Sequence, residues 1–178
     1  AKNDNPLTQK NAVCVSTIRE DGFPSGRFVD LKVVDENGFK FCTQFDSNKG
    51  IEIAHNPKVA ITVWWDHVNL QVRIIGGAER LSAEEATACW KTRTRDAQLA
   101  TLCSNQSQQL DDECQFWERL EMVTRQHEKR DIPRPENWGG YVVRPISIEF
   151  LTFKESRLHV RELFELVAGR WRKQLLQP

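Results

Sequence analysis

Short runs of β-branched and aromatic residues, each closed by a turn signal, restrict this chain to a fold built mainly from strands. The first run, 12–18, ends at a turn cluster over 20–24, and the second, 25–34, alternates between apolar and polar residues. Asn37-Gly38 then marks a tight hairpin with 39–43 as its return strand. Alternation with period two places apolar side chains on one face of a strand, so these runs predict antiparallel strands.

The strand pattern resumes twice further along the chain. Residues 58–65 and 70–75 predict a hairpin about the loop 66–69. Gly76-Gly77 predicts a bend or a bulge before the second strand resumes to Leu81. The C-terminal part predicts strands over 140–143, 146–153, 163–167 and 170–176, the last two joined at Ala168-Gly169.

Helical signals are confined to two segments, a short one at 47–57 and a longer one at 82–129. Ser47 stands where an N-cap is expected, before a helix over 49–55 that ends at Asn56-Pro57. Ser82 and Glu85 form a capping box that opens a helix toward Trp90. Two more helices are predicted over 95–102 and 111–129, the latter with an apolar stripe of Phe116, Leu120, Val123 and His127.

Together these elements predict a mainly β protein with inserted helices, of the α+β class. We expect a closed or partly closed barrel, because closure removes exposed strand edges. A length of 178 residues suits one domain. We therefore expect a single domain over 1–178 with a helical insertion at about 82–130.

Composition argues against several classes of partner. The chain has 25 Lys and Arg against 25 Asp and Glu, without the basic excess of a protein that neutralises nucleic-acid phosphates. Its apolar runs are far shorter than the roughly 20 residues that a membrane span needs. Five cysteines without a C-x-x-C pair and four histidines without ligand spacing lead us to expect no disulfide framework and no metal site. Ala1–Asp4 lack an apolar signal region, so we expect a cytoplasmic protein.

One segment predicts an anion site from its residues alone. Between Thr43 and Lys49 a strand end passes into a helix start that carries Ser47 and the lysine. Free backbone N–H groups, hydroxyls and an ammonium at a helix N-terminus favour an anion. The alternative is an ordinary capped helix with a solvated lysine.

Other candidates leave two interpretations open. Arg27 and Lys32 lie five residues apart and point to opposite faces of a regular strand, unless a bulge brings them to one face. Arg157, His159 and Arg161 alternate on one face of an extended segment, which fits either a solvated strand or an anionic ligand. The pattern by itself predicts solvated loops for the polar runs 93–96 and 104–107, and Trp138 fits a core tryptophan at a turn.

Nine of these segments, in their order along the chain, resemble the pyridoxine (pyridoxamine) 5′-phosphate oxidase family. The likeness runs from about residue 12 to residue 178 and includes a Leu-Gln-Pro tail that is similar to the family's Leu-Ala-Pro. The matching segments are 27–32, 41–49, 71–73, 78–82, 93–98, 104–107, 138–141, 148–150 and 157–161.

The resemblance implies a split β-barrel that forms a homodimer and holds FMN at the subunit interface. A phosphate dianion suits Arg27, Lys49 and nearby hydroxyls, and the amides of Gln71 and Gln106 suit the polar edge of the flavin ring. The implied FMN contacts are Arg27, Phe28, Val29, Asp30, Leu31, Lys32, Cys42, Thr43, Ser47, Asn48, Lys49, Gln71, Gln106, Ser107, Trp138 and Arg161.

The resemblance also implies an oxidase of vitamin B6 metabolism. In that family a hydride passes from C4′ of pyridoxine or pyridoxamine 5′-phosphate to the flavin, and O₂ reoxidises the flavin to give H₂O₂ and pyridoxal 5′-phosphate. Arg157 and His159 are the implied catalytic residues. The implied substrate contacts are Lys32, Cys89, Arg93, Ala97, Arg157 and His159.

The chain departs from the family pattern mainly at the substrate phosphate. Cys89 and Ala97 stand where Tyr and Ser are usual, and Asn48 replaces an arginine beside the FMN lysine. Two alternatives therefore stay open: a related flavin oxidase acting on another planar substrate, of the phenazine-precursor type, and a non-catalytic protein that binds FMN or pyridoxal phosphate. Further departures are Leu70, Leu151 and Val160, where Arg, Trp and Asp are usual.

Overall fold

Eight strands form one sheet whose first six close into a barrel in the structure, a computed structural model that describes residues 11–178. The strand order is β3-β2-β1-β4-β5-β6-β7-β8, and an additional pairing of β3 with β6 closes the ring. This confirms the predicted closed barrel. The strands are β1 Ala12–Ile18, β2 Pro24–Asp35, β3 Gly38–Gln44, β4 Lys58–Trp65, β5 Leu70–Arg80, β6 Trp138–Thr152, β7 Val160–Val167 and β8 Arg170–Leu176.

Four α-helices complete the described part of the chain: α1 Asn48–His55, α2 Ala83–Lys91, α3 Arg95–Cys103 and α4 Glu113–Gln126. The predicted capping box opens α2, since the Ser82 side chain accepts from Glu85 N–H and the Glu85 carboxylate accepts from Ser82 N–H. Ser47 caps α1 as predicted, accepting a hydrogen bond from Gly50 N–H. The predicted stripe of α4 occupies its less exposed positions.

One prediction about strands was wrong. Residues 140–143 and 146–153 belong to one strand, β6, which continues through Pro145. A proline lacks an N–H group but is tolerated where the ladder needs no donor from it. No bulge interrupts the pairing of β5 with β4 at Gly76-Gly77, because Gly76 pairs with Val59 and Gly77 with Lys58 in unbroken register.

Gly76 is required by the close approach of two backbones. A Cβ atom at this position would lie 2.2 Å from the carbonyl oxygen of Arg144 in β6. Gly77 differs, because a Cβ atom there would meet nothing within 4 Å. Gly38 resembles Gly76, with a Cβ position 2.2 Å from the carbonyl oxygen of Val143.

The chain divides into two compact units, a barrel unit and a helical unit. The barrel unit comprises the described residues up to Phe41 together with 52–79 and 141–178. Its core is built from alternating strand residues such as Val13, Val15, Ile61 and Ile74.

The helical unit comprises 42–51 and 80–140. Its core is an aromatic cluster, made of Trp90, Leu99, Ile132 and Trp138. Leu120 and Val123 of α4 pack against this cluster, which explains why both belong to the apolar stripe predicted for that helix. None of the described helices is long and apolar enough to cross a membrane. Ala1–Asp4, on which the expected compartment depends, lie outside the described residues.

We predict that Gly76→Ala destabilises the protein while Gly77→Ala does not. The new methyl group at position 76 would force apart backbones of β5 and β6, which costs roughly 1–3 kcal/mol or more. At position 77 the methyl group has room, so the free energy of unfolding stays within about 1 kcal/mol of the parent. Urea unfolding of both variants tests this, and equal stabilities would contradict the close approach.

Candidate functional site

A buried lysine lies at the start of α1 in the helical unit. The Lys49 side chain is 6% exposed, and its ammonium donates hydrogen bonds to Thr43 Oγ1 at 3.2 Å and Ser47 Oγ at 3.3 Å. A buried ammonium is costly unless hydrogen bonds compensate for lost water. The structure thus brings together the three residues from which the sequence predicts an anion site.

The chemistry of these groups fixes the direction of each hydrogen bond. An ammonium only donates, so both hydroxyl oxygens accept from Lys49 and must send their own protons elsewhere. Ser47 Oγ donates to the carbonyl oxygen of Gln44 at 2.7 Å, and Thr43 Oγ1 donates to Gln106 Oε1 at 2.9 Å. Gln106 lies 63 residues from Thr43 in sequence, and it joins the lysine cluster through this bond.

The donor set of the lysine cluster fits a phosphate group such as that of FMN. The ammonium and the first turn of a helix supply hydrogen-bond donors and positive potential around one point, and the two hydroxyls orient the ammonium. Of the other residues assigned to FMN in this unit, Asn48 is exposed and Cys42 is half-buried against the aromatic cluster. Lys49, Ser47 and Thr43 are therefore the residues that could hold the phosphate.

Arg93 and Trp138 belong to the aromatic cluster region. Trp138 is 2% exposed and packs edge-on against Trp90, with ring centroids 4.8 Å apart. The Arg93 guanidinium lies 5.1 Å from the Trp138 ring centroid and donates through Nη2 to the Ala97 carbonyl oxygen at 2.8 Å and Thr101 Oγ1 at 3.0 Å. Arg93 is thus oriented by the protein, and not a fully solvated loop residue as the pattern over 93–96 allowed. Cys89 packs against the same cluster.

In the barrel unit, Arg27 is held by a carboxylate that the sequence interpretation missed. Arg27 Nη2 donates to Glu52 Oε2 at 2.7 Å and to Ser25 Oγ at 2.7 Å, and its Nη1 donates to Thr17 Oγ1. Thr17 in turn donates to Glu52, and both residues are buried. The guanidinium is therefore pre-oriented, and its charge is partly balanced before any ligand binds.

The segment after Arg27 contains the bulge that the sequence left open. The pairing of β2 with β3 shifts register between Leu31 and Val33, so Lys32 lies at an irregularity. Lys32 forms an ion pair with Asp30. Of the other residues assigned to FMN in the barrel unit, Phe28 is exposed, whereas Val29, Leu31 and Gln71 are half-buried.

Glu149, also missed from sequence, bridges two arginines. Its Oε1 accepts from Arg161 Nε at 2.7 Å, and its Oε2 lies 3.2 Å from Arg73 Nη1. The hydrogen bond that Arg161 donates to Glu149 raises the pKa of Arg161 above its ordinary value. Arg161 Nη1 also donates to the carbonyl oxygen of Gln177 at 3.2 Å. A buried carboxylate thus orients the arginine that the resemblance assigns to FMN.

Arg157 and His159 lie in the loop between β6 and β7. Arg157 is exposed and has a positive φ of 66°, an uncommon conformation for a residue with a side chain. His159 Nδ1 accepts from Lys154 N–H at 3.1 Å, so a neutral ring carries its proton on Nε2. Its ring packs on Phe153, with centroids 4.8 Å apart. Nε2 of His159 is therefore available as a donor.

The signals that could have revealed Glu52 and Glu149 are weak in sequence. Both are single acidic residues within a helix or strand pattern, where a solvated carboxylate is the ordinary expectation. Only the fold identifies them, because it pairs Glu52 of α1 with Arg27 of β2 and Glu149 of β6 with Arg161 of β7. The buried amide of Gln44 escaped notice for the same reason, because a polar residue at a strand end carries no periodic signal.

Two family models match this chain. Residues 2–127 match the model described as pyridoxamine 5′-phosphate oxidase. Residues 138–178 match the model described as the pyridoxine 5′-phosphate oxidase C-terminal dimerisation region.

Curated relatives are similar over nearly the whole chain. The pyridoxine/pyridoxamine 5′-phosphate oxidase of Synechocystis is 40% identical over 172 residues, which cover 97% of this chain and 80% of the relative. The enzyme of the same name from Rubrobacter xylanophilus is 42% identical over 172 residues, covering 97% of this chain and 79% of the relative.

Solved structures share the fold. PhzG from Burkholderia lata, in complex with tetrahydrophenazine-1-carboxylic acid, has a TM-score of 0.92 at 27% identity, covering 97% of this chain and 84% of PhzG. A pyridoxamine 5′-phosphate oxidase-related, FMN-binding protein from Nostoc punctiforme has a TM-score of 0.80 at 17% identity, covering 97% of this chain and 90% of that protein. The latter likeness concerns the fold alone.

We predict that Glu149→Gln destabilises the protein more than Glu79→Gln does. Glu149 is 6% exposed and holds two arginines, so loss of its charge removes charge-assisted bonds in a dry environment, at about 1–3 kcal/mol. Glu79 pairs with Arg144 at the surface, where such pairs contribute about 0–1 kcal/mol. Urea unfolding measures both, and equal losses would show that the Glu149 bridge adds nothing beyond a surface pair.

Proposed function

The chain belongs to the pyridoxamine 5′-phosphate oxidase family, and from that premise we propose its reaction. It oxidises pyridoxine 5′-phosphate or pyridoxamine 5′-phosphate to pyridoxal 5′-phosphate, with O₂ as acceptor and H₂O₂ as second product. The curated relatives that carry this name are about 40% identical over nearly the full chain. The structural observation that carries the proposal is the lysine cluster of Lys49, Ser47 and Thr43, whose donors suit the phosphate of FMN.

FMN is the cofactor of this enzyme. When bound, it accepts two electrons from the substrate and passes them to oxygen. The protein's part is to hold and orient the cofactor. Lys49, oriented by Ser47 and Thr43, would bind the phosphate, and Gln106 would meet the ring edge. Glu52 and Glu149 already orient Arg27 and Arg161, so these arginines would lose less side-chain freedom when the cofactor binds.

The residues for substrate follow from the family positions. We propose that His159 and Arg157 contact the substrate at the reacting face, with His159 donating from Nε2 because its Nδ1 already accepts from the backbone. Arg93 and Lys32 would bind the substrate phosphate. The Arg93 side chain is held against the aromatic cluster, so its guanidinium can be presented in a defined direction.

The enzyme is a homodimer with a small-molecule substrate. Residues 138–178 match the family's dimerisation region. Strands of this region expose large apolar side chains, among them Ile146, Val167, Trp171 and Leu175. A monomer rarely leaves so many apolar side chains exposed within one region unless they form an interface.

We further propose a cytoplasmic location and a single functional domain over 1–178. The five cysteines, all within residues 11–178, form no disulfide, which supports a reducing compartment. A membrane or nucleic-acid partner is not proposed, because the charge balance favours neither.

The second candidate is a flavin oxidase for a phenazine precursor. The likeness to PhzG, at 27% identity and a TM-score of 0.92, favours this alternative. Cys89 and Ala97 favour it as well, because both lack the hydroxyl groups that would bind a substrate phosphate. The first candidate keeps the lead because Arg93, Arg157 and His159 are all retained and the curated relatives share its name.

We predict that the purified protein is yellow, releases FMN on denaturation, and forms H₂O₂ with pyridoxamine 5′-phosphate. The assay couples peroxide formation to a chromogenic peroxidase and compares pyridoxine 5′-phosphate, pyridoxamine 5′-phosphate and reduced phenazine-1-carboxylic acid precursors. Absorbance at flavin wavelengths and an FMN titration of the apoprotein report the cofactor.

Each outcome of that assay decides between the candidates. Peroxide formed only with the phenazine precursor would favour the second candidate function over the first. FMN binding without turnover of any substrate would indicate a non-catalytic FMN protein. A colourless protein that binds no FMN in titration would contradict the assignment.

We predict that the double variant Cys89→Tyr with Ala97→Ser lowers KM for the B6 phosphates with little change in kcat. Two new hydroxyl donors near Arg93 would strengthen binding by about 1–3 kcal/mol, roughly 5- to 150-fold in affinity. Ground state and transition state gain alike from a contact remote from the reacting carbon. The matched control is Cys89→Phe, which adds the ring without the hydroxyl. An equal gain in that control would mean that the hydroxyls do not contact the phosphate.

A further inference from the structure

A single buried amide, that of Gln44, ties the end of β3 to the segment that follows α3. Gln44 is 4% exposed. Its Nε2 donates to the carbonyl oxygens of Thr101 at 3.0 Å and Ser104 at 2.8 Å, and its Oε1 accepts from the backbone N–H of Gln106 at 2.7 Å. Because the first two partners only accept and the third only donates, the orientation of this amide is uniquely determined.

Gln106 is therefore held by two consecutive residues of β3. Gln44 holds its backbone N–H, and Thr43 donates to its side-chain Oε1 at 2.9 Å. In the structure Thr43 accepts from Lys49 and donates to Gln106, so the Gln106 oxygen faces Thr43. The Gln106 NH₂ group is then the end that faces away from the cluster, on a residue that is exposed.

The backbone next to Gln106 has a conformation that needs such support. Ser107 has a φ of 74°, in the left-handed region that residues with a side chain enter at a cost. Conformations of this kind persist where the surroundings hold them. The three hydrogen bonds of Gln44 to Thr101, Ser104 and Gln106 supply that support on one side of the turn.

We infer that Gln44 is a positioning residue for the cofactor: it holds the 104–106 segment so that Gln106 presents its amide NH₂ as a hydrogen-bond donor to an acceptor of the flavin ring. Gln44 itself does not touch FMN in this scheme, and its effect passes through Gln106. The inference rests on the proposed function, which assigns Gln106 to FMN. Beyond that assignment, the NH₂ end of the Gln106 amide is the end that meets the flavin, and Gln44 is the residue that holds it there.

A double-mutant cycle on FMN affinity tests the inference. The variants are Gln44→Met, Gln106→Met and the double variant, since methionine matches the length of glutamine without its hydrogen bonds. Dissociation constants come from quenching of FMN fluorescence by the apoproteins, and the visible absorption spectrum of bound FMN is recorded for each. We expect Gln44→Met and Gln106→Met each to weaken binding by roughly 2- to 10-fold and to shift the spectrum in the same direction.

The FMN affinity of the double variant decides between a positioning role and a merely structural role for Gln44. A positioning role requires that Gln44→Met costs no further affinity once Gln106 is methionine, because its effect passes through that side chain. A merely structural role would lower affinity by the same factor in both backgrounds, and that result overturns the inference. The matched control is Gln98→Met, which removes an amide-to-carbonyl bond from Gln98 Nε2 to Trp90 within the same unit. We expect it to leave both the affinity and the spectrum unchanged.

The failure of the proposed function is seen separately. If Gln106→Met changes neither FMN affinity nor the spectrum, Gln106 is not a flavin contact, and the proposed placement of FMN is wrong at this residue. If Gln106→Met has the expected effect and Gln44→Met has none, the inference alone is wrong.

A second variant keeps the test decisive where Gln44→Met does not fold. In Gln44→Glu, a protonated carboxyl can accept from Gln106 N–H and donate to one carbonyl, whereas an ionised carboxylate cannot donate. We expect its FMN affinity, taken as a ratio to the parent at each pH, to approach the parent near pH 5 and to fall by pH 8. A ratio that does not change with pH would overturn the inference.

Discussion

The need of one buried ammonium for hydrogen-bond acceptors organises the helical unit. Lys49 donates to Thr43 and Ser47, and each hydroxyl passes its proton to a further acceptor. This requirement aligns the end of β3, the start of α1 and the segment after α3 in one network, because each hydroxyl has one proton to give. The side chain of Gln106 takes its orientation from that network, although no local signal links it to Lys49.

In the barrel unit, carboxylates of the protein orient two arginines before any ligand binds. Glu52 and Thr17 hold Arg27, and Glu149 holds Arg161. Planar guanidinium groups held by carboxylates lose little freedom when a further anion arrives, although part of their charge is already balanced. The orientation of these arginines is thus gained at some expense of their net positive potential.

The substrate residues show how a family position can be retained while its surroundings change. Arg93 is kept, and its guanidinium is directed by the Trp90 and Trp138 rings together with the Ala97 carbonyl and Thr101 hydroxyl. Cys89 and Ala97 supply apolar surface where the family pattern has hydroxyls. The proposed substrate site therefore keeps its cation and lacks two hydroxyl donors, so the choice between a B6 phosphate and another planar substrate depends on these two positions.

Local patterns in the sequence were sufficient for most of the elements. Strand β1, the capping box of α2 and the Ala168-Gly169 turn were predicted where the structure has them, because each depends on residues adjacent in the chain. The lysine cluster was also predicted, since Thr43, Ser47 and Lys49 lie within one strand-to-helix connection. The roles assigned to FMN and substrate residues stay predictions that came from resemblance and not from periodicity.

Tertiary structure decided what depends on residues distant in sequence. The continuity of β6 and the close approach at Gly76 depend on which strands become neighbours, and a local pattern cannot specify that. The carboxylates Glu52 and Glu149 and the amide of Gln44 are ordinary polar residues until the fold places acceptors and donors against them. The sequence by itself determined the elements and the cations, and the fold decided which polar groups orient them, because hydrogen bonds depend on spatial and not sequential proximity.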